Sequence, residues 1–202
     1  MYHPANVYPV LVGFVVGNTY LSSYVSVISV VTGVPPLPLN VTLYSFTCSN
    51  NGLTSIKFNP DSLTNFDCSQ NRLTSLDLSG CTKLRSFNCR DNRLSSLNLS
   101  NCTKLEDFNC SFNELENLDV SKNANLKGLF CSDNYLTSLN LSNCKNLGTL
   151  YCQNNEITSL NLSVNTQLKE VKCGNNKLTS LNLSNLGNLE ELDCSLNKLT
   201  NL

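Results

Sequence analysis

The chain has few of the residues from which most active sites are built. Its 202 residues include no tryptophan, one methionine and one histidine, His3. A Ser/His/Asp or Cys/His arrangement needs a histidine beside its nucleophile, and a lone histidine near the amino terminus offers none to the rest of the chain. Neither glycine-rich phosphate-binding motif, G-x-x-x-x-G-K-[ST] or G-x-G-x-x-G, occurs. We therefore expect no enzymatic activity, no cofactor and no catalytic residue.

Charge is absent from the amino-terminal part and balanced elsewhere. The first charged side chain is Lys57, and the formal net charge is −1. Proteins that bind nucleic acid neutralise its phosphates with a basic face, so this balance argues against a nucleic-acid partner. The distribution also divides the chain into an uncharged, apolar leader over residues 1–42 and a polar, charged body over residues 43–202.

Cysteine and asparagine, by contrast, are abundant and recur at a fixed spacing. Eight of the 11 cysteines form one column with steps of 21 residues, except for a first step of 20, and an asparagine follows each by three residues. The cysteines of this column are Cys48, Cys68, Cys89, Cys110, Cys131, Cys152, Cys173 and Cys194. The asparagines are Asn51, Asn71, Asn92, Asn113, Asn134, Asn155, Asn176 and Asn197. Such a period is typical of repeat architectures, in which neighbouring coils stack to share one core.

The repeated unit has the form L-x-x-[FLV]-x-C-x-x-N-x-L-x-x-L-[DN]-L. It recurs eight times over residues 43–202, and the last copy is incomplete. The unit resembles the leucine-rich-repeat signature L-x-x-L-x-L-x-x-N-x-L with cysteine at the third apolar position, and its length is similar to that of the short bacterial type. The resemblance implies a horseshoe-shaped repeat solenoid with a parallel β-sheet on its concave face, where proteins of this family generally bind proteins or peptides.

Each column of the repeat has a local structural meaning. Apolar and polar residues alternate in Phe87-Asn88-Cys89-Arg90, which predicts a short strand with Phe87 and Cys89 directed inward. The asparagine follows where the strand turns away, and its amide can satisfy backbone groups of that turn. Because 21 residues leave little room for a helix, we expect the convex side to be extended or 3₁₀, with little α-helix.

The cysteine column permits three interpretations, namely metal ligands, disulfides and packing. Zinc sites use close cysteine pairs or a Cys/His mixture, and parallel in-register side chains suit the disulfide torsion poorly. Packing is favoured because a buried free thiol behaves as a small hydrophobic group, so we expect no metal. A second, partial column of Cys81, Cys102 and Cys144 is interrupted by Asn123 and Asn165, which also argues against a ligand role. An array of free thiols favours a reducing, cytoplasmic compartment, with secretion or membrane association through residues 1–34 as the alternative.

The two ends of the chain depart from the repeat. We interpret residues 1–42 as an amino-terminal β cap followed by a proline-rich linker, because solenoids need their open core covered. A signal peptide lacks its basic region here, and a membrane segment would be unusually polar, but both stay alternatives. The last repeat begins at Leu189 and has no polar cap after it. Self-association at this edge, a covering partner and a longer protein are all compatible with that pattern.

Most side chains predicted to point outward from the strands are serine or asparagine, and a few stand out. Phe130 and Tyr151 occupy the same column in adjacent repeats, which places them about 4.8 Å apart on the spacing of β-strands. Adjacent aromatic side chains beside a cation are typical of interface anchors, although such a pair can also simply cover itself. The candidate partner-binding residues are Phe130, Tyr151, Arg90, Lys172, Phe112, Glu170 and Asp193.

These observations predict a module that binds a protein or peptide on the concave face of its sheet. Two alternatives from other classes stay open. The chain is either the recognition part of a larger enzyme, such as the bacterial effectors that carry a ligase domain behind similar repeats, or a structural protein held at a membrane or surface by its leader.

Overall fold

The computed structural model describes residues 14–16, 19–21 and 43–201. In these residues the chain forms ten β-strands of three residues each and no helix. Two strands precede the repeats, β1 (Phe14–Val16) and β2 (Thr19–Leu21). The repeats contribute β3 (Ser45–Thr47), β4 (Asn65–Asp67), β5 (Ser86–Asn88), β6 (Asp107–Asn109), β7 (Gly128–Phe130), β8 (Thr149–Tyr151), β9 (Glu170–Lys172) and β10 (Glu191–Asp193). The described part contains no helix that is long and apolar enough to cross a membrane.

Strands β3 to β10 form one parallel sheet in which each strand pairs with the next along the chain. The register follows the repeat, so Phe87 pairs with Phe66 on one side and with Phe108 on the other. Because every strand is one coil further along, equivalent residues of neighbouring repeats lie side by side. The predicted parallel solenoid is therefore confirmed.

The core is a single cluster that runs through all the coils. Its phenylalanine column is almost fully buried, and the rings of Phe46, Phe66, Phe87 and Phe108 stack with centroids 5.3 to 5.6 Å apart. In the last coil Leu192 is only partly buried. Equivalent residues are similarly buried in the coils that have a neighbour on both sides, so one repeat is the structural unit, as stacking of nearest neighbours requires.

The strands are short because the chain turns sharply after each of them. The residue before each ladder asparagine has a left-handed backbone, with φ between 51° and 59° at the eight positions Asn50, Gln70, Asp91, Phe112, Asp133, Asn154, Asn175 and Leu196. Asparagine and aspartate tolerate this conformation better than other side chains with a Cβ, so the polar residues at most of these positions suit the turn.

The return path of each coil, on the convex side, is made of turns and extended segments. A short polar side chain supports it in most coils, as where Oδ1 of Asn98 accepts a hydrogen bond from the backbone N–H of Ser100 at 3.1 Å. The expectation of an extended convex side with little α-helix is confirmed, and no 3₁₀ segment occurs in the described residues.

Strands β1 and β2 pair antiparallel, with Phe14 opposite Leu21. Strand β1 also approaches β3, the first strand of the parallel sheet. The rest of residues 1–42 lies outside the described residues. The cap, linker, signal-peptide and membrane interpretations of the leader therefore stay predictions.

Candidate functional site

All 11 cysteines are free thiols, and ten of them are buried. Burial raises the pKa of the Cys48 thiol to about 12 and that of Cys102 to about 11, because the thiolate would lose its hydration. The thiols of both columns are thus neutral packing groups at neutral pH. No cluster of side chains suited to a metal ion occurs among the described residues.

The second cysteine column accepts asparagine for a specific reason. The Asn123 amide donates to the carbonyls of Leu99 and Cys102 in the preceding coil, at 3.3 and 2.9 Å. The Cys144 thiol makes weak contacts with the two equivalent carbonyls, both at 3.9 Å. Both side chains present a donor at the same place, but within the described residues the amide oxygen of Asn123 is buried without a hydrogen-bond partner.

The ladder asparagines connect each turn to the coil before it. The Asn113 amide donates to the carbonyls of Cys89 and Cys110, both at 3.0 Å, and its oxygen accepts the backbone N–H of Leu94 at 3.0 Å. Three backbone groups that the coil buries are thereby satisfied by one side chain. The asparagine column is part of the scaffold beneath the site.

The aromatic cluster on the outer face of the sheet consists of Phe130, Tyr151, Lys172 and Glu170. The rings of Phe130 and Tyr151 meet edge to face, with centroids 5.0 Å apart. The ammonium of Lys172 lies 4.7 Å from the centroid of the tyrosine ring. Strands β7, β8 and β9 thus place an aromatic pair and a cation side by side on a face that is otherwise small and polar.

Hydrogen bonds and ion pairs connect the polar and charged side chains of this aromatic cluster. The Tyr151 hydroxyl donates to Glu170, and Lys172 pairs with Glu170 at 3.0 Å and with Glu191 at 3.2 Å. The carboxylate that accepts its proton raises the pKa of Tyr151, and the same hydrogen bond, with that from Lys172, lowers the pKa of Glu170. The two carboxylates also raise the pKa of Lys172, so the Lys172 ammonium and the Glu170 carboxylate stay charged at neutral pH while the Tyr151 hydroxyl stays protonated.

A glycine that sequence reasoning did not single out shapes the aromatic cluster. Gly128 is buried, and a Cβ placed on it would lie 3.1 Å from Cε2 of Phe130 and 2.9 Å from Oδ1 of Asp107. The phenylalanine ring therefore lies over the glycine, toward the amino end of strand β7. Only the glycine in the strand signals this arrangement in the sequence.

The other predicted site residues lie apart from the aromatic cluster or at its margin. The Arg90 guanidinium lies 4.6 Å from the centroid of the Phe112 ring, so these two form a pair of their own. Asp193 pairs in register with Lys172, but its carboxylate accepts the backbone N–H of Ser195 at 3.0 Å. The structure thus brings four of the seven predicted residues together and leaves Arg90, Phe112 and Asp193 outside that contact.

A ladder of charges one residue before the strands was also missed. We call it the rim ladder, and its charged members are Arg85, Glu106, Lys127, Lys169 and Glu190. Glu106 pairs with Arg85 and, at 2.7 Å, with Lys127, and these two cations lower its pKa. The signal in the sequence is the alternation of charge sign at the repeat spacing.

Comparisons with known proteins place the chain among solved repeat structures. No protein-family model and no curated protein matches it. The functional domain of InlJ from Listeria monocytogenes, described as including a cysteine ladder, is 35% identical with a TM-score of 0.67 over 88% of this chain and 44% of that one. YopM, a leucine-rich effector protein from Yersinia pestis, is 28% identical with a TM-score of 0.72 over 77% of this chain and 44% of that one. The internalin C2 structure from Listeria monocytogenes is 22% identical with a TM-score of 0.70, over 79% and 74% of the two chains. The chain spans less than half the length of the InlJ and YopM structures.

Proposed function

Because this chain is a leucine-rich-repeat protein of the short bacterial type with cysteine in its strand motif, we propose that it is a recognition module without catalytic activity of its own. Its partner is a protein or peptide that lies on the concave strand face. The supporting observation is the aromatic cluster of Phe130, Tyr151, Lys172 and Glu170 at the centre of strands β7 to β9.

The contrast with the rest of the strand face supports this assignment. Along the same column, strands β3, β5 and β6 carry Thr47, Asn88 and Asn109, which are small and polar. Phe130 and Tyr151 stay partly exposed although they cover each other. Large rigid side chains supply contact area at a low entropic cost, and they dominate the energetics of interfaces.

The pair of Arg90 and Phe112 provides a second contact in this proposal. Phe112 is 43% exposed at the turn after β6, and Arg90 lies over its ring from the preceding coil. The partner would reach this pair at the carboxyl ends of the strands and Asp193 at the far side of the aromatic cluster. Such a partner would contact both the charged side chains and the aromatic rings of this face, which suits a protein or peptide better than nucleic acid.

The test removes both rings. We expect Phe130→Ala with Tyr151→Ala to weaken binding by about 2 kcal/mol or more, roughly 30-fold, because central aromatic residues are typical hot spots. The ligands are peptides selected from a displayed random library on the immobilised unaltered chain, and their affinity is measured by calorimetry. Folding should persist, since both side chains lie outside the core.

The matched control is Asn88→Ala with Asn109→Ala, which alters the same column on strands β5 and β6. It should leave the affinity within about twofold, because contacts away from a hot spot are nearly neutral. Equal binding by the unaltered chain and the double aromatic variant would contradict the role of the aromatic cluster.

A second proposal is that the chain is the recognition part of a larger protein. Its likeness to YopM, a leucine-rich effector of which it spans 44%, favours this. Sequencing the coding region beyond the codon of Leu202 tests it. A stop codon directly after that position would refute it.

A further inference from the structure

The rim ladder has one missing rung. Its signs alternate from Arg85 through Glu106 to Lys127, and again from Lys169 to Glu190. Between the two lysines stands Gly148, whose N–H donates to the carbonyl of Lys127 at 2.8 Å while the N–H of Lys169 donates to the carbonyl of Gly148 at 2.8 Å. The glycine therefore occupies the position at which the alternation calls for a carboxylate.

The backbone does not require glycine at this position. Gly148 has no left-handed φ, and a Cβ placed on it would meet only the carbonyls of Lys127 and Gln167, at 3.7 and 3.9 Å. Those are ordinary van der Waals contacts, so there is room for a side chain. Packing therefore does not explain why the rim ladder has no side chain at position 148.

A positively charged lysine flanks the position of Gly148 on each side. Within the described residues, Lys127 pairs with the carboxylate of Glu106 and Lys169 with that of Glu190, and their side chains are 63% and 65% exposed. An ammonium group has three donors, so each lysine has hydrogen-bonding capacity beyond one carboxylate. An anion between them would gain two ion pairs without displacing either of the existing ones.

The gap also lies beside the aromatic cluster. Lys127 lies one residue before β7 and precedes Phe130 by three residues, and Gly148 lies one residue before β8 and precedes Tyr151 by three. At the rise of a β-strand this separation is about 10 Å. In an extended segment laid along the strands, every second side chain faces the sheet, so two such side chains two or four residues apart bracket this distance.

We propose that the partner of the strand face is an acidic peptide segment whose carboxylate fills the gap at Gly148 between Lys127 and Lys169. An apolar side chain two or four residues along the same extended segment, and therefore on the same face of it, packs on Phe130 and Tyr151. The proposal rests on the recognition function above and adds the chemistry of its ligand. Charge complementarity selects this occupant, since among the described residues Gly148 is the uncharged position of this column that has a cation on both sides.

The first experiment needs no ligand. Gly148→Glu supplies the missing carboxylate from within the chain, and Gly148→Gln supplies a side chain of the same size without charge. We expect the glutamate variant to melt at a higher temperature than the glutamine variant in dilute buffer. The difference should vanish at about 1 M salt, where the Debye length falls to about 3 Å. Equal melting temperatures in dilute buffer would overturn the carboxylate position.

The second experiment identifies the ligand chemistry with a displayed library of random 12-residue peptides. Peptides enriched on the unaltered chain should share an Asp or Glu two or four residues from an apolar residue. Their affinity should fall at least tenfold more with Gly148→Glu than with Gly148→Gln. Lys127→Met with Lys169→Met should cause a similar loss of affinity. The same change at two lysines elsewhere on the surface, Lys83→Met with Lys104→Met, is the control and should not.

The outcomes separate this proposal from the recognition function. Peptides that need Phe130 and Tyr151 but carry no shared acidic residue would refute the carboxylate and leave recognition intact. Equal losses with the glutamate and glutamine variants would also refute it, because they would show that only bulk matters. Peptides indifferent to both regions, or no enrichment at all, would count against both proposals.

Discussion

Phe112 is, with Leu196, one of two apolar residues at the left-handed turn positions. Its φ of 57° lies in the left-handed region, where six of the eight equivalent positions carry asparagine, aspartate or glutamine. Holding an ordinary side chain there costs roughly 1–2 kcal/mol, and the contact with Arg90 returns only about 0.5–1 kcal/mol at an exposed position. The ring therefore lowers stability on balance, which is the pattern expected of a residue kept for binding.

We predict that Phe112→Asn raises the free energy of unfolding by about 0.5–1 kcal/mol, since relief of backbone strain exceeds the lost cation–π contact. Urea unfolding followed by circular dichroism measures the change. Asp91→Asn, at the same place in the preceding coil, should have almost no effect because both side chains tolerate the conformation. A Phe112→Asn variant no more stable than the unaltered chain would show that the phenylalanine is not strained.

The sequence located this residue beside the sheet but did not reveal its partner. The repeat predicts only that Arg90, like Phe130, points outward from the sheet. The structure instead places its guanidinium over Phe112, one coil away. The period of the sequence shows which repeat and which column a residue belongs to. It does not show the direction of a long side chain, because that direction depends on contacts with neighbouring side chains.

The two cysteine columns differ in the backbone carbonyls that their side chains can reach, although ten of the 11 thiols are buried. By the repeat spacing, position 102 corresponds to Asn123 one coil later, where the amide N–H groups donate to the carbonyls of Leu99 and Cys102. In the described part of the chain, the Cys110 thiol donates to no carbonyl. An amide is therefore acceptable in the second column and unsatisfied in the first.

We predict that Cys102→Asn lowers the free energy of unfolding by only about 1 kcal/mol, because its amide N–H groups find two acceptors and only its oxygen is left without a partner. Cys110→Asn should cost about 2–3 kcal/mol, since it buries an unpaired amide. The two variants make the same chemical change at equally buried positions, so each controls the other in thermal unfolding. Equal losses would mean that the carbonyls below position 102 do not accept the new amide.

For the strands and their pairing, most of what could be predicted follows from the spacing of the repeat. The spacing of Phe66, Phe87 and Phe108 specified the register of the sheet, because identical columns can bury their apolar residues only when stacked. It did not specify where each strand ends, and the strand predicted to reach Arg90 stops at Asn88. The rim ladder was overlooked because it lies just before the strands, where alternation no longer shows which way a side chain points.

The whole molecule shares one core, and ten buried thiols run through it. Each has a pKa raised by burial, to about 12 at Cys48, Cys81 and Cys173 and to about 11 at Cys102 and Cys144. An exposed thiol in the unfolded chain has an ordinary pKa of about 9. Folding and thiol ionisation are therefore coupled along the entire solenoid.

The sign of this coupling predicts alkaline unfolding. Below about pH 9 the thiols are protonated in both states, and their contribution does not depend on pH. Between that value and the raised folded pKa, only the unfolded chain releases protons, so stability falls by up to about 1.4 kcal/mol per pH unit for each thiol. Urea unfolding at pH 8, 9 and 10 with a reductant present should show a steep loss above pH 9. Cys110→Ala with Cys131→Ala should reduce that slope by about 2.7 kcal/mol per pH unit, since two coupled groups are removed while every lysine and tyrosine remains. An unchanged slope in this variant would mean that the buried thiols do not control the response to alkali.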